Sequence, residues 1–147
     1  VCIEKNFYRI ITSAENREHD KFHILKYLSK EVEFEDVTEE IACFGLFGPK
    51  SRILMSKLSN NDFSNENFKF GSSKSITINN KKVWAQRLSY VGELGFELYV
   101  NIKESKEIYN LIINKGKEYN ISHCGMFSMD TMRMEKGYLH WGHDMSP

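Results

Sequence analysis

At 147 residues the chain is long enough for one domain that buries roughly two-thirds of its unfolded surface. Apolar residues make up 41% and charged residues 27%, an ordinary globular balance. Twenty basic side chains offset twenty acidic ones, so bulk charge recruits neither nucleic acid nor an anionic membrane surface, and no apolar run approaches the ~20 residues of a membrane-spanning helix.

The elements follow in chain order. Val1–Glu4 and Phe7–Thr12 are β-rich runs joined by Lys5-Asn6, which predicts a hairpin. Ser13 is placed as an N-cap, and Phe22, Ile24, Leu25 and Leu28 recur at helical spacing, which predicts a helix over 14–29. Val32–Val37 breaks that period and reads as a short strand. Ile41–Phe47 is a nearly continuous apolar run bounded by Gly48-Pro49, the pattern of a strand buried on both faces. Pro49 suits a helix start, with Ile53, Leu54 and Leu58 facing inward.

Asn- and Ser-rich 59–67 is loop. Ser75–Ile78 and Val83–Leu88 flank Asn79-Asn80, which predicts a type I′ hairpin. Gly95–Asn101 is a further strand, Lys103–Tyr119 an amphipathic helix, and 126–136 a last short helix ended by Gly137. Short strands and helices in alternation, with hairpins, predict an α+β fold of mainly antiparallel sheets with packed helices.

Two clusters carry candidate chemistry. In Ser89–Val100, Gly92 and Gly95 bracket Glu93-Leu94, which implies positive φ angles or a close approach of backbone to another group. Strand alternation then sets Gly95, Glu97 and Tyr99 on one face and Phe96, Leu98 and Val100 on the other, facing the core. Glu97 projects from mid-strand, where a carboxylate needs donors. It suits two adjacent N–H groups on a heterocycle edge, with Tyr90 and Tyr99 stacking on or bonding the same ligand. An exposed edge strand with a solvated glutamate fits the same spacing.

The second cluster runs from Asp130 to Asp144. Met126, Met129, Met132 and Met134 read as helix core, and Asp130, Arg133 and Lys136 as surface ion pairs. Trp141-Gly142-His143-Asp144 is a loop, functional or structural. His123-Cys124 with His140 and His143 matches no zinc-site spacing. Cys43, in its apolar run, reads as inert core, and three cysteines without a pairing motif fit reduced thiols in the cytosol or the mitochondrial matrix.

Ser89-Tyr90-Val91-Gly92-Glu93-Leu94-Gly95-Phe96-Glu97-Leu98-Tyr99 resembles the S-Y-T-G-E-L-G-x-E-L-Y signature of the aminomethyltransferase (glycine-cleavage T-protein) folate-binding family. Met132–Asp144 resembles the L-R-L-E-K-G-Y-R-x-W-G-x-D run that follows it, and Val37–Lys50 and Asp62–Phe70 are similar to further family segments in the same order. The E-K-G-Y-x-x-W-G-x-D form looks more like the folate domain fused to flavin-dependent dimethylglycine or sarcosine dehydrogenases. T-proteins usually carry A-R-D where this chain has Ser128-Met129-Asp130, so an arginine contact to folate does not carry over to Met129.

The resemblance implies a part of the T-protein-like folate-binding fold. Tetrahydrofolate is bound with its pterin buried, and a one-carbon unit from a methylated amine or aminomethyl donor is captured as methylene-tetrahydrofolate. Glu97 would pair with the pterin edge, Tyr90 would line its pocket, and Glu97-Leu98-Tyr99 would form one wall. These are binding roles; no catalytic residue is assigned, because the family's key aspartate lies in the first third of the fold.

Residues 1–147, with no initiator methionine at Val1, are accordingly expected to be a partial domain lacking the N-terminal third and the C-terminal barrel, and inactive alone. FAD would belong to a covalently linked upstream flavin domain. The resemblance equally admits a free T-protein, which needs a lipoyl carrier, or a non-catalytic folate-binding regulator or repair factor of this fold.

Overall fold

The computed structural model describes residues 1–146, which fall into two compact units, one of them Val1–Glu39 and the other beginning at Glu40. The first unit holds a small hairpin, β1 (Cys2–Glu4) with β2 (Phe7–Tyr8), turned at Asn6 with a positive φ, and the helix α1 (Arg17–Tyr27). Ser13 precedes the helical segment, but its hydroxyl makes no capping bond. The periodic apolar residues of α1 do not mark a buried face: Phe22 and Leu25 are exposed and none of the helix is fully buried.

The strand expected over Val32–Val37 is absent among the described residues. Instead, Thr38 donates to Asp36 from both its amide and its hydroxyl, while Arg17 Nε donates to the same carboxylate at 3.0 Å. The two Thr38 hydrogen bonds, then Arg17, hold the Asp36 carboxyl well below the usual carboxylate range. Short-range side-chain bonds of this kind compete with ladder pairing.

The second unit is built on a four-stranded antiparallel sheet in the order β3-β6-β5-β4, formed by β3 (Ile41–Phe47), β4 (Ser73–Ile78), β5 (Lys81–Gln86) and β6 (Gly95–Asn101). The β4–β5 hairpin turns on Asn79 and Asn80 at φ +47° and +63°, the two positive values a type I′ turn demands. On one face, Phe96, Leu98 and Val100 of β6 lie opposite Leu46, Phe44 and Ala42 of β3, and Leu98 also faces Ala85 of β5. This face packs against α2 (Ser51–Leu58) and α3 (Ile102–Gly116), and Leu54, Met55, Ile108 and Ile112 complete the core. Mixed helices and antiparallel sheets make this an α+β fold.

Two expectations are corrected. Ile53 is exposed and Met55 takes the inward position on α2. β3 is an edge strand with one covered face, not a strand buried on both. Its second face is formed by Cys43, Gly45 and Phe47, small or apolar residues that conceal the alternation in the sequence.

Asn101 caps α3 through a bond from the Lys103 amide, and a single 3-10 turn, Lys117–Tyr119, continues it. The last helix, α4 (Met126–Glu135), closes in a Schellman arrangement: Tyr138 N–H donates to Arg133 O, Gly137 N–H to Met134 O, and Gly137 sits at φ +72°. Its methionines are not core. Met126 and Met134 are exposed, Phe127 is 93% exposed, and the side chain that α4 buries is Arg133.

Candidate functional site

The second face of the sheet carries the candidate site. Along β6, Gly95, Glu97 and Tyr99 share that face, flanked on β3 by Phe47, Gly45 and Cys43 and on β5 by Gln86 and Trp84. Tyr99 O–H donates to Glu97 Oε2 at 2.6 Å, so the tyrosine secures the carboxylate from two residues along the same strand. Burial, and then the hydrogen bond to Glu97, raise the Tyr99 pKa far above that of a free phenol, keeping it a donor.

Both strand glycines are explained by Phe47. A Cβ on Gly45 would stand 2.6 Å from Phe47 Cε2, and one on Gly95 would collide with Phe47 Cδ1 and approach Leu88 O at 3.2 Å. The ring therefore lies flat across bare backbone beside Glu97. Cys43 is solvent-exposed on this face rather than core. Its thiol is nevertheless pushed up to about 11, first by desolvation and next by the Glu97 carboxylate, so it is a poor nucleophile at neutral pH.

The turn before β6 has its own supports. Gly92 has φ +71°, and a Cβ there would run into Lys136. Lys136 Nζ lies 3.5 Å from Glu93 Oε1, while Gly48 N–H and Ser51 Oγ both donate to Leu94 O, at 2.7 and 3.2 Å. A cavity of about 260 Å³ opens between this turn, Arg87, Phe70 and Tyr138; it ends at Gly95, and Glu97 and Tyr99 do not line it. A larger hollow of about 380 Å³ lies between Lys57–Asn61 and Thr77–Asn80; it is lined by surface turns and offers no carboxylate or imidazole.

Of the four expected binding residues, Glu97 and Tyr99 are brought together on the second face of the sheet. Leu98 is not on it: the side chain is fully buried in the core, and only its backbone belongs to the wall. Tyr90 goes elsewhere, with ring centroids 6.4 Å from Tyr138 and 6.3 Å from His140, and it has no hydrogen bond to Glu97 or Tyr99 among the described residues.

Arg133 is the residue that the sequence reading misjudged most. It is 3% exposed, donates to Asp130 Oδ1 at 2.7 Å and to Tyr138 O at 3.0 Å, and pairs closely with Asp144. Burial works against its charge, but the hydrogen bonds to the two carboxylates outweigh that and raise its pKa. Asp144 also accepts from the His140 amide at 2.7 Å, so the buried guanidinium ties both ends of the 138–144 loop to α4. His140 and His143 stack at 4.5 Å, and among the described residues no group of three or more His, Cys, Asp or Glu is placed to hold a metal ion. Gln86 was also missed; alternation on β5 was the available signal.

The sheet face, the glycine-bounded turn and the loop on α4 combine motifs that share one family pattern. A family model described as "GCVT N-terminal domain" matches residues 1–147. The chain belongs to that family. It is 35% identical over 146 residues to human mitochondrial dimethylglycine dehydrogenase, covering 95% of this chain and 16% of that one. It is 32% identical over 139 residues to an aminomethyltransferase of Geobacillus sp. (strain WCH70), covering 95% and 38%, and 29% identical over 149 residues to human mitochondrial sarcosine dehydrogenase, covering 99% and 16%. The chain thus spans about a sixth of the dehydrogenases' length and under two-fifths of the aminomethyltransferase. These relatives are named as enzymes, two dehydrogenases and an aminomethyltransferase. No helix among the described residues is long and apolar enough to cross a membrane.

Proposed function

We propose that this chain is the pterin-binding part of a tetrahydrofolate-dependent aminomethyl-transfer domain, within a demethylating enzyme of the dimethylglycine or sarcosine dehydrogenase type. The observation that carries the reading is Glu97. It is a half-buried mid-strand carboxylate on the second sheet face, held by Tyr99, beside the flat aromatic surface of Phe47, whose ring sits over Gly45 and Gly95. A planar heterocycle with two neighbouring N–H donors fits that combination, since a carboxylate accepts such a pair in parallel.

The residues act by binding and orienting. Glu97 fixes the pterin edge, Tyr99 fixes Glu97, and the Gly92–Gly95 turn with Tyr138 and Tyr90 forms the approach along which the rest of the ligand leaves the sheet. Bound tetrahydrofolate supplies the nucleophilic nitrogens that take up the one-carbon unit from a methylated amine or aminomethyl donor. The aspartate that orients that nitrogen, the C-terminal barrel and a flavin domain with FAD are assigned to other segments of the protein, so residues 1–147 alone are a partial, catalytically incompetent domain. Met129, where T-proteins carry arginine, and the similarity to two dehydrogenases favour this reading over a free T-protein. The compartment proposed is the mitochondrial matrix or cytoplasm.

The decisive experiment is a titration of tetrahydrofolate into the full-length protein and its Glu97→Gln variant. Loss of one partner of a charge-assisted pair is worth about 1.5–3 kcal/mol, so the variant is expected to bind roughly 10- to 150-fold more weakly. Equal affinity of the two proteins would remove Glu97 as the anchor and the reading with it.

A further inference from the structure

Two donors on the Glu97 face are buried and unspent. Gln86 stands directly opposite Glu97 on β5 and is 2% exposed, yet its Nε2 has no hydrogen-bond partner among the described residues. Trp84, opposite Tyr99, has a buried Nε1 in the same condition. Native interiors satisfy nearly all such groups, because a buried donor without an acceptor forfeits its hydration. An apolar side chain at position 86 would avoid that cost. The amide instead faces the one carboxylate of the sheet without bonding to it; Glu97 takes its hydrogen bond from Tyr99 on the other side.

A carboxylate reads donors, and a free amide donor next to it reads an acceptor. Cross-strand partners lie about 4.5–5.5 Å apart at Cβ, close enough for both side chains to meet one ring edge. The reduced pterin presents that order of groups: the 2-amino group and N3–H as donors, then the 4-oxygen as acceptor. We propose that Gln86 is a specificity-determining residue that donates to the 4-oxygen of the pterin while Glu97 accepts from N3–H and the 2-amino group. The proposal rests on the tetrahydrofolate reading of this site. It assigns the site a preference for 4-oxo over 4-deoxy or 4-amino heterocycles.

The test compares full-length wild-type protein with Gln86→Leu, using calorimetric titration of tetrahydrofolate and of an analogue bearing hydrogen in place of the 4-oxygen, together with thermal melting. Loss of one hydrogen bond to a neutral acceptor is expected to weaken tetrahydrofolate binding roughly tenfold. Affinity for the analogue should be the same in both proteins, and the melting temperature of Gln86→Leu should equal or exceed that of wild type, because an unpartnered buried donor has been removed. Gln86→Met gives the same comparison should the leucine variant fail to fold. Tetrahydrofolate binding within twofold of wild type, or an equal loss for both ligands, would overturn the assignment. If Glu97→Gln loses affinity while Gln86→Leu does not, Gln86 falls and the folate site stands; if wild-type protein binds no tetrahydrofolate, both fall.

Discussion

Tyr99 and Glu97 lie two residues apart on one face of β6, and the 2.6 Å bond between them makes the tyrosine a positioning group for the carboxylate. The phenol is buried and its pKa is raised by burial and by Glu97, so it serves as the donor in that bond. Tyr99→Phe is expected to cost about 1–2 kcal/mol of folding stability and to weaken tetrahydrofolate binding several-fold without abolishing it. Denaturant unfolding and the same titration check both. An unchanged affinity would leave Tyr99 a packing residue only.

Gly95 is needed because Phe47 occupies the space its side chain would fill. Gly95→Ala should destabilise the protein by about 1–3 kcal/mol through overpacking against the ring and the Leu88 carbonyl. Since the obstacle is chiefly Phe47, the double variant with Phe47→Leu should recover part of that loss, and a double-mutant cycle on unfolding free energies measures the coupling. Additive losses would place the strain elsewhere.

The Asp144 carboxyl is held below the usual range, first by the His140 amide and then by Arg133, with burial opposing. A depressed folded-state pKa adds stability that is complete above the unfolded value of about 4 and is lost as pH falls through the folded one. Melting temperatures recorded from roughly pH 3 to pH 6 should therefore fall more steeply in wild type than in Asp144→Asn below about pH 4. Parallel curves for the two proteins would show that the carboxylate does not support the loop.

The strands of the second unit, its type I′ hairpin, the cap at Gly137 and the face carrying Glu97 with Tyr99 are legible from residue patterns, because turn chemistry and strand alternation act over a few residues. The misread positions share a different cause. Cys43 and Gly45 look like core because their neighbours in sequence are apolar, yet the second face of the sheet is exposed along β3. Arg133 looks like a surface ion-pair member at helical spacing, yet Asp144, eleven residues on, folds back onto it. Val32–Val37 has strand composition but pairs with no strand among the described residues.

Sequence alone determined the family, the α+β class and the polarity of β6, since motif order, glycine placement and period-2 alternation are properties of consecutive residues. Tertiary structure alone decided that Phe47 lies over Gly45 and Gly95, that Gln86 stands unpartnered beside Glu97, and that Tyr90 joins Tyr138 and His140 rather than Tyr99. Each of those is a contact between strands or loops distant in the chain. Such contacts are set by register and packing, which no local pattern encodes.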